Sequence, residues 1–270
     1  MNVFRTDLFK DKVAFVSGGT SGINLEIAKH YARLGAKVAV MSRSQEKVDK
    51  AIAEIQAEGG VAVGYAADVR DFDAVLNAVE ATVDSLGKLD IVISGAAGNF
   101  MCPAEALSPN GFKTVVDIDL NGTFNILRAS YDYANAGCSM ISISAPQSTG
   151  AYWGQAHVSA AKAGIDMLTR SLAAEWGPKN IRVNAIVPGP IEGTEGMERL
   201  SPTPAMVAMV KNSVALRRYG SKQDIADMAT YLASEAASYV TGAVMYCDGG
   251  QVLAGGGVTH AYAEQQAKTQ

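Results

Sequence analysis

Residues 13–24 read Val-Ala-Phe-Val-Ser-Gly-Gly-Thr-Ser-Gly-Ile-Asn, which is an apolar run followed by a turn rich in glycine and serine. The next residues place apolar side chains at helical spacing, and Gly35 follows where a helix would end. This order predicts a buried strand, a tight turn and a helix. Gly18 and Gly22 would let the backbone approach a pyrophosphate, whose charge the helix N-terminus would stabilise. A nucleotide-binding turn is therefore predicted, although short glycine-rich turns also occur in loops that bind nothing.

The composition is typical of one globular domain. The chain has 270 residues, of which 48% are hydrophobic, and a formal net charge of −4. No linker divides it, so residues 1–270 are predicted to form a single domain. No apolar run reaches the roughly 20 residues that span a bilayer, which predicts a soluble protein. The acidic balance and the lack of a basic run argue against nucleic acid and favour a small-molecule partner.

The cysteines and the two ends of the chain bear on metal binding and location. Cys102, Cys138 and Cys247 lie far apart in no metal-ligand spacing, so no metal site is predicted. Three such thiols fit a reducing compartment. Residues 1–10 lack the apolar core of a signal peptide, and the final Ala-Lys-Thr-Gln is not a peroxisomal address. These features predict a cytoplasmic location.

Short β-branched runs alternate with amphipathic helical segments, a pattern typical of an α/β fold whose parallel sheet is covered on both faces. Ligands bind outside the carboxyl ends of the strands in such sheets. The glycine turn, Asp68, Ser144 and the segment 94–98 all follow predicted strands. The seven predicted strands are residues 13–16, 37–41, 61–66, 89–93, 139–143, 181–187 and 243–246.

Two long segments depart from this simple alternation. Residues 193–216 form a connection longer than usual, rich in methionine and proline, and are predicted to be either a substrate lid or a surface helix packing its own methionines. Residues 112–131 are predicted to form one amphipathic helix, with a single apolar face made of Phe112, Val116, Leu120, Phe124 and Leu127.

Four motifs together resemble the short-chain dehydrogenase/reductase family over nearly the whole chain. The resemblance implies a Rossmann-type, doubly wound fold with a seven-stranded parallel sheet and a nicotinamide cofactor. It also implies a homotetramer packed through the helices near residues 112–131 and 157–176. The motifs are Ser17-Gly18-x-x-x-Gly22, Asp68-Val69, Ile181-Arg182-Val183-Asn184 and Pro188-Gly189-Pro190-Ile191.

The resemblance also indicates the cofactor-binding residues. The second strand ends in Ser42 and Arg43, and the carboxylate that would bind the 2′-hydroxyl of NAD is missing, so NADP(H) is favoured. The alternative is that Arg43 is an exposed, solvated side chain that does not contact a 2′-phosphate. Asp68 would contact the adenine, Ala96 would form part of the floor, and Lys162 would bind the nicotinamide ribose. The other cofactor residues implied by the matching motifs are Gly18, Thr20, Ser21, Gly22, Ile23, Val69, Pro188, Gly189, Ile191 and Thr194.

The chain departs from the family's Asn, Ser, Tyr and Lys active site at three positions. Lys162 is present, but Val158 takes the tyrosine position and Ala145 the serine position. Asp119 stands at the asparagine position. Because valine has no exchangeable proton, ordinary carbonyl reduction would lack its acid. A simple alcohol dehydrogenase is therefore not predicted.

The chain is similar to the peroxisomal type of 2,4-dienoyl-CoA reductase, a subfamily with substitutions of this kind. The similarity implies reduction of 2,4-dienoyl-CoA to 3-enoyl-CoA by NADPH, an auxiliary step in the oxidation of unsaturated fatty acids. Hydride would add at C5 and charge would collect on the thioester oxygen, so no alkoxide needs a tyrosine. The similarity rests on the strings at 96–100 (AAGNF), 112–119 (FKTVVDID), 173–178 (AAEWGP) and 188–196 (PGPIEGTEG).

Two residues are hypothesised to carry the chemistry. Asp119, directly or through a water, would donate to the thioester oxygen, and direct donation would require burial that keeps it protonated. Lys162 would add positive potential. The alternative to a catalytic Asp119 is an aspartate that is solvated beside the helix. His157 is predicted to be a hydrogen-bonded structural residue rather than a proton donor. The resemblance implies that Arg43, Arg70 and Arg199 contact the CoA phosphates, unless they are plain surface charges, and that Phe100, Ser108 and Asn110 line the thioester and pantetheine path.

Two other functions stay open on the sequence. A related enzyme could reduce another activated alkene or an acyl-CoA carbonyl on the same scaffold. A catalytically silent NADP-binding protein is the third possibility, because three of the four active-site residue types are replaced. Retention of Lys162, Arg43 and the strings similar to dienoyl-CoA reductase favours the first function.

Overall fold

The structure, a computed structural model, describes residues 3–253, without the side chains of residues 199 and 200. The seven strands in that range are β1 (Val13–Ser17), β2 (Lys37–Ser42), β3 (Val61–Ala66), β4 (Leu89–Ser94), β5 (Ala134–Ile143), β6 (Arg182–Pro188) and β7 (Val244–Cys247). The helices are α1 (Gly22–Arg33), α2 (Gln45–Ala57), α3 (Phe72–Leu86), α4 (Pro109–Val116), α5 (Gly122–Tyr131), α6 (Ala156–Trp176), α7 (Glu195–Leu200), α8 (Pro204–Asn212) and α9 (Lys222–Ala233).

The strands form one parallel sheet in the order β3-β2-β1-β4-β5-β6-β7. The prediction of a seven-stranded, Rossmann-type sheet is confirmed, and each predicted strand overlaps an observed one. Strand order reverses between β1 and β4, because β2 and β3 lie on one side of β1 and the later strands on the other. This switch point opens a crevice at the carboxyl ends of the strands, where a nucleotide binds in folds of this kind.

Alternation along β1 explains why helices cover both faces of the sheet. Ala14 and Val16 pack in one buried cluster with side chains of α1, α2 and α9. Val13 and Phe15 point the other way, into a cluster with side chains of α3, α5 and α6. Because every residue of β1 is buried, this strand is a near-continuous apolar run rather than a half-polar one.

The prediction of one regular helix over residues 112–131 is wrong. The helix is interrupted between α4 and α5 by a π turn, residues Asp117–Asn121. The wider turn inserts one residue into the helical repeat, so the i, i+4 stripe does not stay on one face. Leu127 is buried, whereas Phe112 is 39% and Phe124 43% exposed. The π turn buries Asp119 completely while Asp117, two residues earlier, stays near the surface.

Across residues 3–253 no helix is both long enough and apolar enough to cross a membrane. Nor does this range contain three or more His, Cys, Asp or Glu side chains grouped as metal ligands.

Candidate active site

The glycine turn after β1 has the backbone geometry that a close approach requires. Gly18 has φ +69°, and a Cβ built on it would lie 2.9 Å from the backbone nitrogen of Ala96. The N–H of Gly18 donates to the carbonyl of Met41 at 2.8 Å, which ties the turn to β2. Gly22, with φ +58°, opens α1. The turn therefore brings the N-terminus of α1 to the crevice, as an anion-binding turn requires.

A first cavity of about 340 Å³ lies between this turn and the ends of β2 and β4. The exposed side chains of Arg43 and Lys47 stand at its edge, and of these two only Arg43 was predicted from the sequence. The predicted cofactor residues that line it are Gly18, Thr20, Ser21, Ser42, Arg43, Asp68, Val69 and Ala96.

Asp68 is held in this cavity by its neighbour Arg70. The guanidinium donates from Nε to Oδ1 at 3.0 Å and from Nη2 to Oδ2 at 2.6 Å. This fork lowers the pKa of Asp68 below its usual value. Arg70 thus positions Asp68, so a contact between Arg70 and a CoA phosphate would have to compete with this ion pair.

A second cavity of about 350 Å³ adjoins the first and holds the candidate catalytic groups. Val158 and Ala145 line it where the family has tyrosine and serine, so neither position supplies a hydroxyl. Ser144, next to Ala145, donates its hydroxyl proton to Asp166 at 2.6 Å, deep in the protein. The predicted residues that line the second cavity are Gly22, Ile23, Asp119, Lys162, Pro188 and Thr194.

Asp119 and Lys162 form a buried ion pair in the second cavity, with Lys162 Nζ 3.2 Å from Asp119 Oδ2. Asp119 Oδ1 accepts the N–H of Gly98 at 2.7 Å, and Lys162 Nζ also donates to the carbonyl of Ile143 at 3.1 Å. The ion pair is close but not aligned as a hydrogen bond, so Asp119 Oδ2 receives none within the described residues. Oδ2 therefore lacks a hydrogen-bond donor, and Lys162, which gives one of its three N–H groups to Ile143, keeps two for Asp119 or a ligand.

Comparison with known proteins agrees with this geometry. The family model described as Enoyl-(Acyl carrier protein) reductase matches residues 18–251. The chain is 45% identical over 255 residues to the peroxisomal, (3E)-enoyl-CoA-producing 2,4-dienoyl-CoA reductase of Pongo abelii, covering 93% of this chain and 87% of that protein. The chain belongs to the short-chain dehydrogenase/reductase family. It is an oxidoreductase, and the family and fold imply a nicotinamide cofactor.

Two bacterial members of the short-chain dehydrogenase/reductase family are also similar. The probable (2E)-enoyl-CoA-producing 2,4-dienoyl-CoA reductase of Bacillus subtilis is 42% identical over 247 residues, covering 90% of this chain and 97% of that protein. The crystal structure of a short chain dehydrogenase from Bacillus anthracis gives a TM-score of 0.80 at 39% identity, covering 90% of this chain and 97% of that chain.

Several predicted residues lie away from the two cavities. Gly189 and Ile191 line a third, smaller cavity of about 190 Å³ beside the end of β7. Ser108 caps α4 by accepting the N–H of Gly111 at 3.0 Å, and Asn110 is exposed on the first turn of that helix. The side chain of Arg199 lies outside the described residues.

The segment that was predicted to be a lid begins at the mouth of the second cavity. Thr194 and Gly196, at the start of α7, line this cavity, and Thr194 Oγ1 donates to the carbonyl of Ile191 at 2.8 Å. The methionines of α8 point elsewhere: Met209 is 68% exposed and Met206 is also exposed. In this structure α8 therefore presents its methionines to solvent rather than to the cavity.

Asn24 replaces the third glycine of the family's turn and lies between the two cavities. Its Nδ2 donates to the carbonyl of Gly95 at 2.8 Å, which joins α1 to the end of β4. The amide group lies directly over Gly95, where an added Cβ would be 2.3 Å from Asn24 Oδ1. Its bond to Gly95, 71 residues away in sequence, has no local signal.

The prediction that His157 is hydrogen-bonded is wrong within residues 3–253. The ring is fully buried, and neither nitrogen has a hydrogen-bond partner there. It packs instead against Phe100, with ring centroids 4.4 Å apart and an interplanar angle of 35°. Phe100 lines a groove of about 370 Å³ that also includes Asn99, Met101 and the start of α7. His157 therefore supports a wall of this groove.

Three amide side chains, hydrogen-bonded in a row that we call the amide chain, connect this groove to the second cavity. Gln147 Nε2 donates to Gln155 Oε1 at 2.7 Å, and Gln155 Nε2 donates to Asn99 Oδ1 at 3.0 Å. Gln155 is buried at the start of α6, and Asn99 is exposed to the cavity. Asn99 belongs to the string 96–100, but no motif marks Gln147 and Gln155 or the contacts among the three residues, which come from separate connections.

Proposed function

We propose that this chain is an NADPH-dependent 2,4-dienoyl-CoA reductase that forms a 3-enoyl-CoA in the oxidation of unsaturated fatty acids. The observation that carries the proposal is the buried Asp119–Lys162 ion pair, which faces a cavity where Val158 replaces the expected acid. The names of the similar proteins from Pongo abelii and Bacillus subtilis support the same substrate class.

The residues present fit a nicotinamide cofactor. Gly18 leaves no room for a side chain beside Ala96, and the buried Asn24 Oδ1 has no donor within the described chain, so it suits a hydroxyl or amide of the cofactor. The first cavity would hold the adenosine half and the second the nicotinamide half. When bound, the cofactor supplies a hydride to C5 of the diene.

Addition of hydride at C5 leaves negative charge that is shared along the chain and concentrated on the thioester oxygen. Lys162, whose side chain is buried, stabilises this charge electrostatically. Asp119 Oδ1 accepts the N–H of Gly98, and Oδ2 lies beside the ammonium of Lys162. This geometry suits a carboxylate that accepts hydrogen bonds rather than a carboxylic acid that donates its own proton. Asp119 therefore acts through a water held between its Oδ2 and Lys162 Nζ. This water gives its proton to the substrate, Lys162 returns a proton to the hydroxide that remains, and solvent then reprotonates Lys162.

The position of that proton decides the product. Protonation at the α-carbon leaves the double bond between C3 and C4 and gives a 3-enoyl-CoA, whereas protonation at C4 gives a 2-enoyl-CoA. The two similar reductases are described as forming different products, (3E) and (2E). A water on Asp119 Oδ2 lies beside Lys162, which stabilises the thioester oxygen. The α-carbon is bonded to the thioester carbon, whereas C4 is two carbons farther along the chain, so this water is nearer to the α-carbon than to C4. We therefore assign the 3-enoyl product.

The test is NADPH oxidation by the purified protein with a trans-2,trans-4-dienoyl-CoA of medium chain length, followed by identification of the product. We expect turnover of the diene to a 3-enoyl-CoA and no turnover of a 3-oxoacyl-CoA control. Formation of a 2-enoyl-CoA would contradict the assigned proton position but keep the reductase. Tight NADPH binding without turnover of either substrate would favour a silent binding protein instead.

The preference for NADP(H) rests on the edge of the first cavity. Arg43 and Lys47 are exposed there, and Ser42 and Ser44 line the same edge. Two cations and two hydroxyls suit a 2′-phosphate, which carries nearly two negative charges. No carboxylate side chain of β2 faces this edge, so the 2′-hydroxyl of NAD lacks its usual acceptor.

Arg43→Ala is expected to raise the KM for NADPH by about 10–100-fold, because it removes a charge-assisted hydrogen bond to phosphate. The KM for NADH should stay unchanged. Lys47→Ala should add to the effect, whereas Lys50→Ala, an exposed lysine of the same helix α2 outside the cavity, serves as the matched control. Equal changes in the KM of NADPH and NADH would show that Arg43 contacts a part common to both cofactors rather than the 2′-phosphate, and a changed KM for the dienoyl-CoA alone would assign it to CoA.

Further parts of the predicted site remain proposals. Residues 193–216 would close over the acyl-CoA from the start of α7, and Phe100 would contact the acyl chain in the groove. Gly189 and Ile191 would reach the nicotinamide through their backbone, and Arg199, Ser108 and Asn110 would contact CoA.

We also propose a homotetramer in the cytoplasm. The exposed apolar side chains of α4, α5 and α6 support the assembly, since Phe112, Phe124 and the 58% exposed Met167 would be covered by a second copy. All three cysteines are free, which suits a reducing compartment. Sedimentation equilibrium of the purified protein would measure the assembly.

A further inference from the structure

We propose that Trp153, together with Phe100 and Met101, binds the far end of the acyl chain, so that the enzyme favours dienoyl-CoA substrates with long chains. We call these three side chains the apolar shelf. The inference rests on the proposed reduction of a dienoyl-CoA and deepens it, because it names the residues that set the preference among chain lengths. The apolar shelf takes no part in the chemical step.

The apolar shelf consists of large side chains that the fold leaves uncovered. Trp153, in the connection between β5 and α6, is 76% exposed, and Phe100 and Met101 are exposed as well. Burial of an aromatic side chain is among the largest apolar gains that a single residue offers, and this gain is not used within the chain. Neighbouring exposed apolar side chains beside a cavity indicate a surface that a ligand covers.

A backbone hydrogen bond holds Trp153 beside the other members of the apolar shelf. The N–H of Cys102 donates to the carbonyl of Gly154 at 2.9 Å, which joins the connection before α6 to the segment after β4. Gly154 has φ +74°, and a Cβ built on it would lie 3.2 Å from Met101 Cε, so the two segments are in contact here. Trp153 directly precedes Gly154 and therefore lies at the outer rim of the groove beside Phe100.

The inner end of the apolar shelf is supported from behind by the start of α6. The buried ring of His157 packs against Phe100, and Gln155 donates to the side chain of Asn99, next to Phe100 in the sequence. This wall is therefore formed before a ligand arrives, so binding requires little ordering of side chains at the inner end.

The lining of the groove favours an acyl chain over the nucleotide part of CoA. Besides Phe100 and Met101 it contains Ala97, Gly196, the two bonded amides and the carboxylate of Glu195. No lysine or arginine lines it among the residues that the structure describes, whereas the phosphates of CoA require cations. A hydrocarbon tail gains from each apolar contact and needs no polar partner.

The groove continues from the cavity in which the diene would react. Ala97, Asn99 and Gly196 line both the groove and the second cavity. With C5 of the diene in the second cavity, the carbons beyond C5 extend into the groove. A six-carbon chain ends one carbon after C5 and stops short of Trp153, whereas a ten- or fourteen-carbon chain leaves five or nine carbons to lie on the apolar shelf.

The experiment measures kcat/KM for trans-2,trans-4-dienoyl-CoA esters of six, ten and fourteen carbons. For the wild-type protein we expect a rise of about twofold per added methylene between six and ten carbons, which is half the effect of full burial, because the apolar shelf covers one side of the chain. Trp153→Ala should lower kcat/KM for the two longer esters by about 5–10-fold and leave the six-carbon ester within twofold.

Two further variants serve as controls for Trp153→Ala. Trp153→Phe keeps an apolar ring and should restore most of the preference for long chains. Tyr239→Ala removes a fully exposed aromatic side chain between α9 and β7, away from the groove, and should leave the dependence on chain length unchanged.

Tryptophan fluorescence tests the same contact without turnover. The chain has two tryptophans, of which Trp176 is buried and Trp153 exposed. Decanoyl-CoA added to the NADP⁺-loaded protein is therefore expected to shift the emission of Trp153 to shorter wavelength, whereas hexanoyl-CoA and free CoA should not. The shift should be absent from Trp153→Phe. An equal shift with free CoA would assign the groove to the CoA arm and overturn the inference.

The outcomes are distinct from those for the reductase itself. If the wild-type protein reduces the dienes but Trp153→Ala keeps the wild-type dependence on chain length, or loses activity equally with all three esters, the apolar shelf is overturned and the reductase stands. If the wild-type protein reduces no diene, the reductase proposal fails, and the emission with decanoyl-CoA still decides whether an acyl chain covers Trp153. A changed sedimentation of Trp153→Ala would place Trp153 at a subunit contact and would also overturn the inference.

Discussion

Asp119→Asn is expected to lower kcat for a 2,4-dienoyl-CoA by about 10²–10⁴-fold, the usual range for loss of a general acid–base group. The amide is nearly isosteric, but with its oxygen on the Gly98 N–H it places an NH2 group where Oδ2 held the water, and it no longer neutralises Lys162. The Gly98 N–H can still find an acceptor, so the loop after β4 should stay in place. Steady-state kinetics at saturating NADPH, over a range of pH, measures the effect.

Asp117→Asn is the matched control for this substitution. Asp117 begins the same π turn, but it pairs at the surface with Lys113 and Asn121. We expect wild-type kcat from this variant, since surface pairs of this kind contribute little. Full activity of Asp119→Asn with an unchanged pH profile would show that the acid lies elsewhere in the cavity.

Lys162→Met is expected to abolish measurable turnover and also to lower the free energy of unfolding by about 3–5 kcal/mol, the usual effect of breaking a buried ion pair. The reason is that Asp119 would remain buried without its countercharge, and the carbonyl of Ile143 would lose its donor. The electrostatic support of the thioester oxygen would disappear at the same time. Urea unfolding gives the first effect and single-turnover NADPH oxidation the second.

The double variant Lys162→Met, Asp119→Leu separates the two effects. With both charges replaced by apolar groups, most of the lost stability should return, because no uncompensated charge is buried. Activity should not return, since neither the positive potential nor the water-binding carboxylate is present. Recovery of turnover in the double variant would contradict the catalytic assignment of this pair.

The sheet and the cofactor turn could be predicted because their signals are local. Each strand is a short apolar run that needs burial on both faces, and Gly18 stands where a positive φ and a 2.9 Å approach to Ala96 exclude a side chain. The predicted residues around the first cavity could be located because ligands of such sheets bind at the carboxyl ends of adjacent parallel strands. Arg43 was found in this way because it directly follows β2.

The π turn and the amide chain could not be predicted for the opposite reason. The apolar spacing from Phe112 to Leu127 fits a regular helix. No local feature of the sequence indicates the extra residue of the π turn that directs the Asp119 side chain inward. The contact between Gln155 and Asn99 joins residues 56 positions apart. It depends on how the loop after β4 meets the start of α6, which is a property of packing. The environment of His157 could not be predicted for the same reason, because the ring packs against Phe100, which is distant in the sequence.

The overlap of the Asn24 amide with the missing Cβ of Gly95 couples these two positions. A side chain at position 95 would displace the Asn24 amide from its present place, because an added Cβ would lie 2.3 Å from Asn24 Oδ1. The bond from Asn24 Nδ2 to the carbonyl of Gly95, which joins α1 to the end of β4, would be disturbed with it. Exchange of the glycine turn with that of a relative should therefore include the end of β4, so that the two positions stay compatible.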